Sequence, residues 1–171
     1  MILEKLPLAK TNQFSPIFLD YLASDPKLTS FYHRPPQIAS FTEQIAEKQL
    51  SDEQRSVLVE VLQQQYQSVS TSTVVDENIQ QLADSKTFTV TTGHQLNIFT
   101  GPLYFIYKIV TTINACRELQ AAHPDYRFVP VYWMASEDHD FEEISHFSLF
   151  GKTYTWETNQ HGAVGRFHPS G

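Results

Sequence analysis

The 171-residue sequence predicts an α/β domain on a parallel sheet, incomplete, with a helical segment ahead of it. Three observations point there. The composition changes near residue 85: Gln, Ser and helix signals come before it, β-branched residues, aromatics and turns after it. A strand, a long helix and a second strand follow in order between residues 87 and 134, with a connection long enough to join parallel strands. The second strand, Arg127 to Met134 (RFVPVYWM), is apolar on both faces, as a central parallel strand is. This is the opening of a Rossmann-like parallel sheet. Residues 1–85 are read as a helical N-terminal segment and residues 86–171 as the first part of a Rossmann-like catalytic domain, truncated.

The elements follow from local signals. Ser15-Pro16 is an N-cap followed by proline in the first helical position, and Phe18, Leu19 and Leu22 are expected to face a core. Pro26 and Pro35-Pro36 interrupt the chain. Ser40 with Glu43 makes a capping box, and Phe41 and Ile45 begin an apolar face. Ser51 with Gln54 repeats the signal, and Val57, Leu58, Val61 and Leu62 fall at helical spacing behind it. Val75 to Ala83 is a third helix with Ile79 and Leu82 inward. Thr87 to Thr92 (TFTVTT) reads as a strand that Gly93 ends. Gly101-Pro102 opens a long helix, with proline in its first turn and a stripe of Leu103, Ile106, Tyr107, Val110 and Ile113, widened by Phe105, Ile109 and Cys116. So broad an apolar surface predicts burial on most sides. His146 to Phe150 and Lys152 to Trp156 form a hairpin turning at Gly151, and the tail HGAVGRFHPSG shows no regular pattern. One βαβ unit with a hairpin leaves an open sheet unfinished, as expected of a piece of a longer protein.

Charge and composition narrow the function. With 12 Lys+Arg against 19 Asp+Glu the formal charge is −7, which excludes broad nucleic-acid binding. No run approaches the ~18 apolar residues of a membrane span. The start MILEKLPLAKTNQF lacks a signal peptide's apolar core, so no membrane partner is expected and the expected location is cytoplasmic. The single cysteine, Cys116, excludes an intrachain disulfide, and its apolar helical setting reads as a buried small hydrophobe.

Two segments carry candidate chemistry. In Thr91-Thr92-Gly93-His94-Gln95 a strand leads into a glycine and two polar side chains, and ligands of open α/β sheets bind outside the carboxyl ends of strands. Gly93 permits a tight turn and close backbone approach, His94 can hold a phosphate or carboxylate oxygen or exchange a proton, and Gln95 can donate and accept. In Ser136-Glu137-Asp138-His139-Asp140, three carboxylates and an imidazole follow the second strand directly. Crowded carboxylates need a cation, an ammonium group or a proton between them. The spacing fits no standard zinc pattern, and no metal ligand is assigned. Asn97 and Thr100 lie in the loop after the first segment, within reach of a ligand. Lys108 reads as a structural ion-pair partner, and Tyr104 and Tyr107 as core aromatics.

The run TTGHQLNIFTGPLYFIYKI followed by PVYWMASEDHDFEEI resembles the BshC family, the cysteine-adding enzymes of bacillithiol biosynthesis. The resemblance is clearest from Thr91 to Ile144 and looser over LPLAKTNQFSPIFLDYL. It implies a ligase joining L-cysteine to glucosaminyl malate through a new amide bond. It also implies that this chain is an N-terminal fragment, inactive alone, of a protein whose full length forms a homodimer. A distant relation to class I synthetases and nucleotidyl transferases follows. Their His-x-Gly-His signature is half matched by Gly93-His94, with Thr91 in place of the first histidine, so ATP use stays open. The expected catalytic residues are His94, Asp138 and His139. The expected substrate-binding residues are Gly93, Gln95, Asn97, Glu137 and Asp140. Two other readings are a metal-assisted hydrolase or transferase using the SEDHD cluster, and a non-enzymatic folding or docking fragment.

Overall fold

The computed structural model describes residues 4–169, and the chain divides into two compact units, Met1–Gln49 and Leu50–Gly171. Each is built by its own local signals.

The first unit holds two short helices, α1 (Pro16–Leu22) and α2 (Phe41–Glu47), among 3-10 turns. Ser15 caps α1 by accepting from the Phe18 amide, with Pro16 in the first helical position. Phe18 and Leu22, expected in a core, stay substantially exposed. Phe18 instead borders an open apolar groove of about 430 Å³ with Ile17, Tyr21, Leu28, Phe31 and Tyr32. The capping box of Ser40 and Glu43 does not form. A 3-10 turn over Ile38–Ser40 runs straight into α2, so Ser40 is already helical. Glu43 is engaged elsewhere: the Arg34 guanidinium donates to Glu43 at 3.1 Å, to Gln44 at 3.0 Å and to Glu47. That guanidinium holds the Glu47 carboxyl below the usual carboxylate range.

In the second unit, α3 (Asp52–Tyr66) opens on the expected capping box between Ser51 and Gln54. Its inward edge is not the expected stripe. Val57, Leu58 and Val61 are exposed, and buried Arg55 with half-buried Val59 and Leu62 turns inward. The helix α4 (Thr73–Gln81) starts and ends two residues earlier than expected, with Ile79 and Leu82 buried as expected. The Arg55 guanidinium donates to the carbonyls of Leu82 (3.0 Å), Thr87 (3.1 Å) and Ser85 (3.3 Å). It ties α3 to the turn that delivers the first strand.

The strands β1 (Thr87–Gln95) and β2 (Arg127–Ala135) pair in parallel, Thr87 opposite Arg127 through Gln95 opposite Ala135. The crossover helix α5 (Leu103–Ala122) packs on both. The βαβ unit is as expected, with one correction. Gly93 does not end β1, which continues through His94 and Gln95. A Cβ on Gly93 would stand 2.8 Å from the Trp133 carbonyl oxygen, so glycine lets two backbones approach where a turn was expected.

The helix α5 also departs from expectation. Pro102 is its N-cap rather than a residue of its first turn. The face on the sheet carries Phe105, Ile109, Thr112, Cys116 and Leu119, while Leu103, Ile106, Tyr107 and Val110 are exposed. Several apolar side chains of β2 are also uncovered, with Trp133 60% and Met134 58% exposed. Only Val129 of that strand is buried, because the described sheet has two strands and α5 covers one face. Beyond β2 come α6 (Glu142–Ser145) and the hairpin β3 (His146–Leu149) with β4 (Lys152–Thr155). Phe150 and Gly151 make its turn, both at positive φ, as a two-residue hairpin with right-handed twist requires. Among the described residues no helix is long and apolar enough to cross a membrane.

The described part of the patternless tail, up to residue 169, is held by tertiary contacts. Val164 is buried, its amide donates to the Asp138 carbonyl (2.8 Å), and the Gly165 amide donates to Ser136 (2.9 Å). A Cβ on Gly165 would stand 2.6 Å from the Ser136 Cβ. Phe167 packs on Phe141 and Trp156.

Candidate functional site

Register brings the two polar segments together. His94 lies opposite Met134 and Gln95 opposite Ala135, so the residues that leave β2 start beside the last residues of β1. The Gln95 side-chain amide donates to the Asp140 carboxylate at 3.5 Å, bridging the segments across 45 residues of sequence.

His94 is held at both nitrogens. Nδ1 lies 3.0 Å from the Gln95 carbonyl, and a carbonyl only accepts, so Nδ1 carries the proton. Nε2 lies 2.9 Å from the Tyr104 hydroxyl, which stands on the first turn of α5. The imidazole also packs against the Tyr104 and Phe105 rings. Tyr132 donates to the His94 carbonyl at 3.4 Å, and burial pushes the Tyr132 phenol up, which keeps it a donor. Tyr104, expected in the core, is 49% exposed and meets the candidate residue His94. Sequence hid it because a tyrosine in an apolar helix reads as packing. The available signal was its place in the first turn of the helix that follows the strand end.

Lys108 stands one turn further along α5. It donates to the Gly93 carbonyl (3.2 Å) and lies 5.5 Å from the Tyr104 ring centroid. The expected ion pair with an acid is thus replaced by a backbone contact at the site, reached because Tyr104 and Lys108 share a face at i, i+4.

The SEDHD segment folds as two successive side-chain-to-backbone turns. The Asp138 carboxylate accepts from the Asp140 amide at 2.7 Å, and the Asp140 carboxylate accepts from the Glu142 amide at 3.1 Å. The Asp140 amide, then the Gln95 side chain, hold the Asp138 carboxyl below the usual carboxylate range. Glu137 turns away to accept from the Trp133 indole at 3.3 Å. His139 is exposed. Asn97 braces the loop: it donates to the Gln95 carbonyl (3.4 Å) and packs beneath Gly101, where a Cβ would stand 2.8 Å from its Cγ. Phe99, Thr100 and Gly101 all take positive φ, and the Thr100 hydroxyl donates to the Phe99 carbonyl. Of the expected site residues, then, Gln95, Asp138 and Asp140 come together, His94 turns to Tyr104 and Phe105 on α5, Gly93 lies before them in the sheet, and Glu137, His139 and Asn97 point to other neighbours or to solvent. Among the described residues no three His, Cys, Asp or Glu side chains converge on a point where a metal ion would sit. Cys116 is buried against the sheet, and burial pushes its thiol up, the opposite of what a nucleophile needs.

A parallel βαβ unit with its polar groups at the carboxyl ends of both strands defines the class: a Rossmann-like α/β domain with a strand-end site. Comparison with known proteins narrows it. The family model described as "Bacillithiol biosynthesis BshC, N-terminal Rossmann-like domain" matches residues 1–170. The chain belongs to the BshC family. It is 51% identical over 160 residues to a Flavobacterium psychrophilum protein named "Putative cysteine ligase BshC", covering 92% of this chain and 30% of that protein. It is 48% identical over 168 residues to a Cytophaga hutchinsonii protein of the same name, covering 98% of this chain and 32% of that one. The chain therefore spans about a third of the length of these curated relatives.

Proposed function

We propose that this chain supplies the first wall of the active site of a ligase that adds L-cysteine to glucosaminyl malate, forming an amide. Membership of the BshC family and the ligase names of the relatives support the reaction class. The observation that carries the site is the Gln95–Asp140 bridge between adjacent strand ends. Both substrates offer an amine and a carboxylate. The ionised carboxylates of Asp138 and Asp140 suit an ammonium group. His94, whose Nδ1 is committed to the Gln95 carbonyl and whose Nε2 keeps its lone pair, suits the proton that an attacking amine must lose.

The test is cysteine addition by a full-length protein carrying this chain. His94→Ala and Asp138→Asn are each expected to lower kcat/KM by about 100-fold, the usual worth of a positioned acid or base. Wild-type rates in both variants would overturn the assignment.

A further inference from the structure

We infer that Tyr104 is the residue through which His94 meets the substrate, the outer member of a relay that runs from the Gln95 carbonyl through the imidazole to the phenol. This rests on the ligase reading above. Three observations carry it. Nδ1 of His94 is committed to the Gln95 carbonyl at 3.0 Å, so only Nε2 can gain or lose a proton. Nε2 faces the Tyr104 hydroxyl at 2.9 Å, so a substrate reaches that nitrogen only by displacing the phenol or by acting through it. Tyr104 is 49% exposed on the first turn of α5, at the carboxyl end of β1, the end at which open α/β sheets bind ligands. The ring is held from two sides, by the imidazole (centroids 5.3 Å apart) and by the Lys108 ammonium 5.5 Å away.

The chemistry is a paired transfer. With His94 neutral, Tyr104 donates its hydroxyl proton to Nε2 and its oxygen has lone pairs facing outward. An amine proton passes to the Tyr104 oxygen as the tyrosine proton passes to Nε2. The N–H bond of the amine breaks, a new O–H bond forms on the phenol, and the old O–H bond gives way to N–H on His94. The tyrosine ends neutral and the imidazole holds the charge. The charged and titratable groups that contact this pair are Lys108 from α5, over the Tyr104 ring, and Tyr132 from β2, at the His94 carbonyl. The relay needs His94 neutral, because a protonated imidazole has no lone pair to take the phenol proton.

The test compares Tyr104→Phe, His94→Gln and the double variant in a full-length protein carrying this chain, with Tyr107→Phe as an exposed control on the same helix. Each single variant is expected to lower kcat at least 10-fold with KM within about twofold, and Tyr104→Phe is expected to flatten the acid limb of the pH–rate profile. The double variant is expected to be no slower than the slower single, because residues acting as a unit are not additive. Phenylalanine matches the ring, so an unchanged melting temperature separates the effect from misfolding. Wild-type kcat and pH profile in Tyr104→Phe, or losses that multiply in the double variant, would overturn the relay. A loss in His94→Gln without one in Tyr104→Phe would overturn the relay and leave the ligase site standing.

Discussion

At the scale of single residues, Asp138 shows how a loop of like charges becomes a defined shape. Its carboxylate accepts from the Asp140 amide at 2.7 Å while its own carbonyl accepts from the Val164 amide at 2.8 Å. One residue thus ties the end of β2 to the acidic turn on one side and to the tail on the other. Because the folded carboxyl titrates below an unfolded aspartate, its contribution to stability is fully present above the unfolded value of ~4 and is lost as pH falls through the folded value. A pH series of tail amide exchange should therefore show protection of Val164 and Gly165 that holds above about pH 5 and fades below about pH 4, where the unfolded carboxyl protonates. In Asp138→Asn the fading should vanish. Protection in the unsubstituted chain that is flat from pH 6 to 3 would contradict it. His94 makes the complementary point. Its two neighbours fix which nitrogen carries the proton, and neither neighbour's role was legible from the sequence alone.

At the scale of elements, Arg55 is the joint between helix and sheet. It is 6% exposed and its guanidinium meets the carbonyls of Leu82, Ser85 and Thr87, where α4 gives way to β1. A buried charge is tolerated there because three carbonyl oxygens accept from its two terminal nitrogens, while Nε is left without a partner. Arg55→Ala is expected to destabilise the 50–171 unit by roughly 3 kcal/mol, since buried carbonyls lose a charged donor. A urea melt measures this, and a loss below about 1 kcal/mol would rule out the clamp.

The elements also show what a sequence can carry. The parallel βαβ unit, the hairpin at Gly151, the Ser51–Gln54 capping box and the inward Ile79 and Leu82 were legible, because each is written in local periodicity or in a turn residue. The faces of α3 and α5 were not. On α5 both stripes are apolar, so periodicity could not say which one meets the sheet, and Phe105, Ile109, Cys116 and Leu119 do. Gly93 misled for a related reason. A glycine marks a turn or a close approach alike, and only the register against Trp133 decides.

At the scale of the whole molecule, the strand-end site depends on connections that are distant in sequence. The two motifs were readable as strand ends, but Tyr104 and Lys108 enter only because α5 crosses back over the sheet and lays its first turns beside them. The tail enters because Gly165 is small enough to lie on Ser136. The apolar face of α5 at Leu103, Ile106, Tyr107 and Val110 and the uncovered Trp133 and Met134 sit in a chain that spans about a third of its relatives' length. The measurement that bears most directly on the account is a crystal structure of a full-length protein carrying this chain, bound to glucosaminyl malate. The ligand is expected at the carboxyl ends of β1 and β2, with its amine within hydrogen-bonding distance of Tyr104 or of the Asp138 and Asp140 carboxylates. A ligand seated elsewhere, making no contact with residues 93–104 or 136–140, would contradict it.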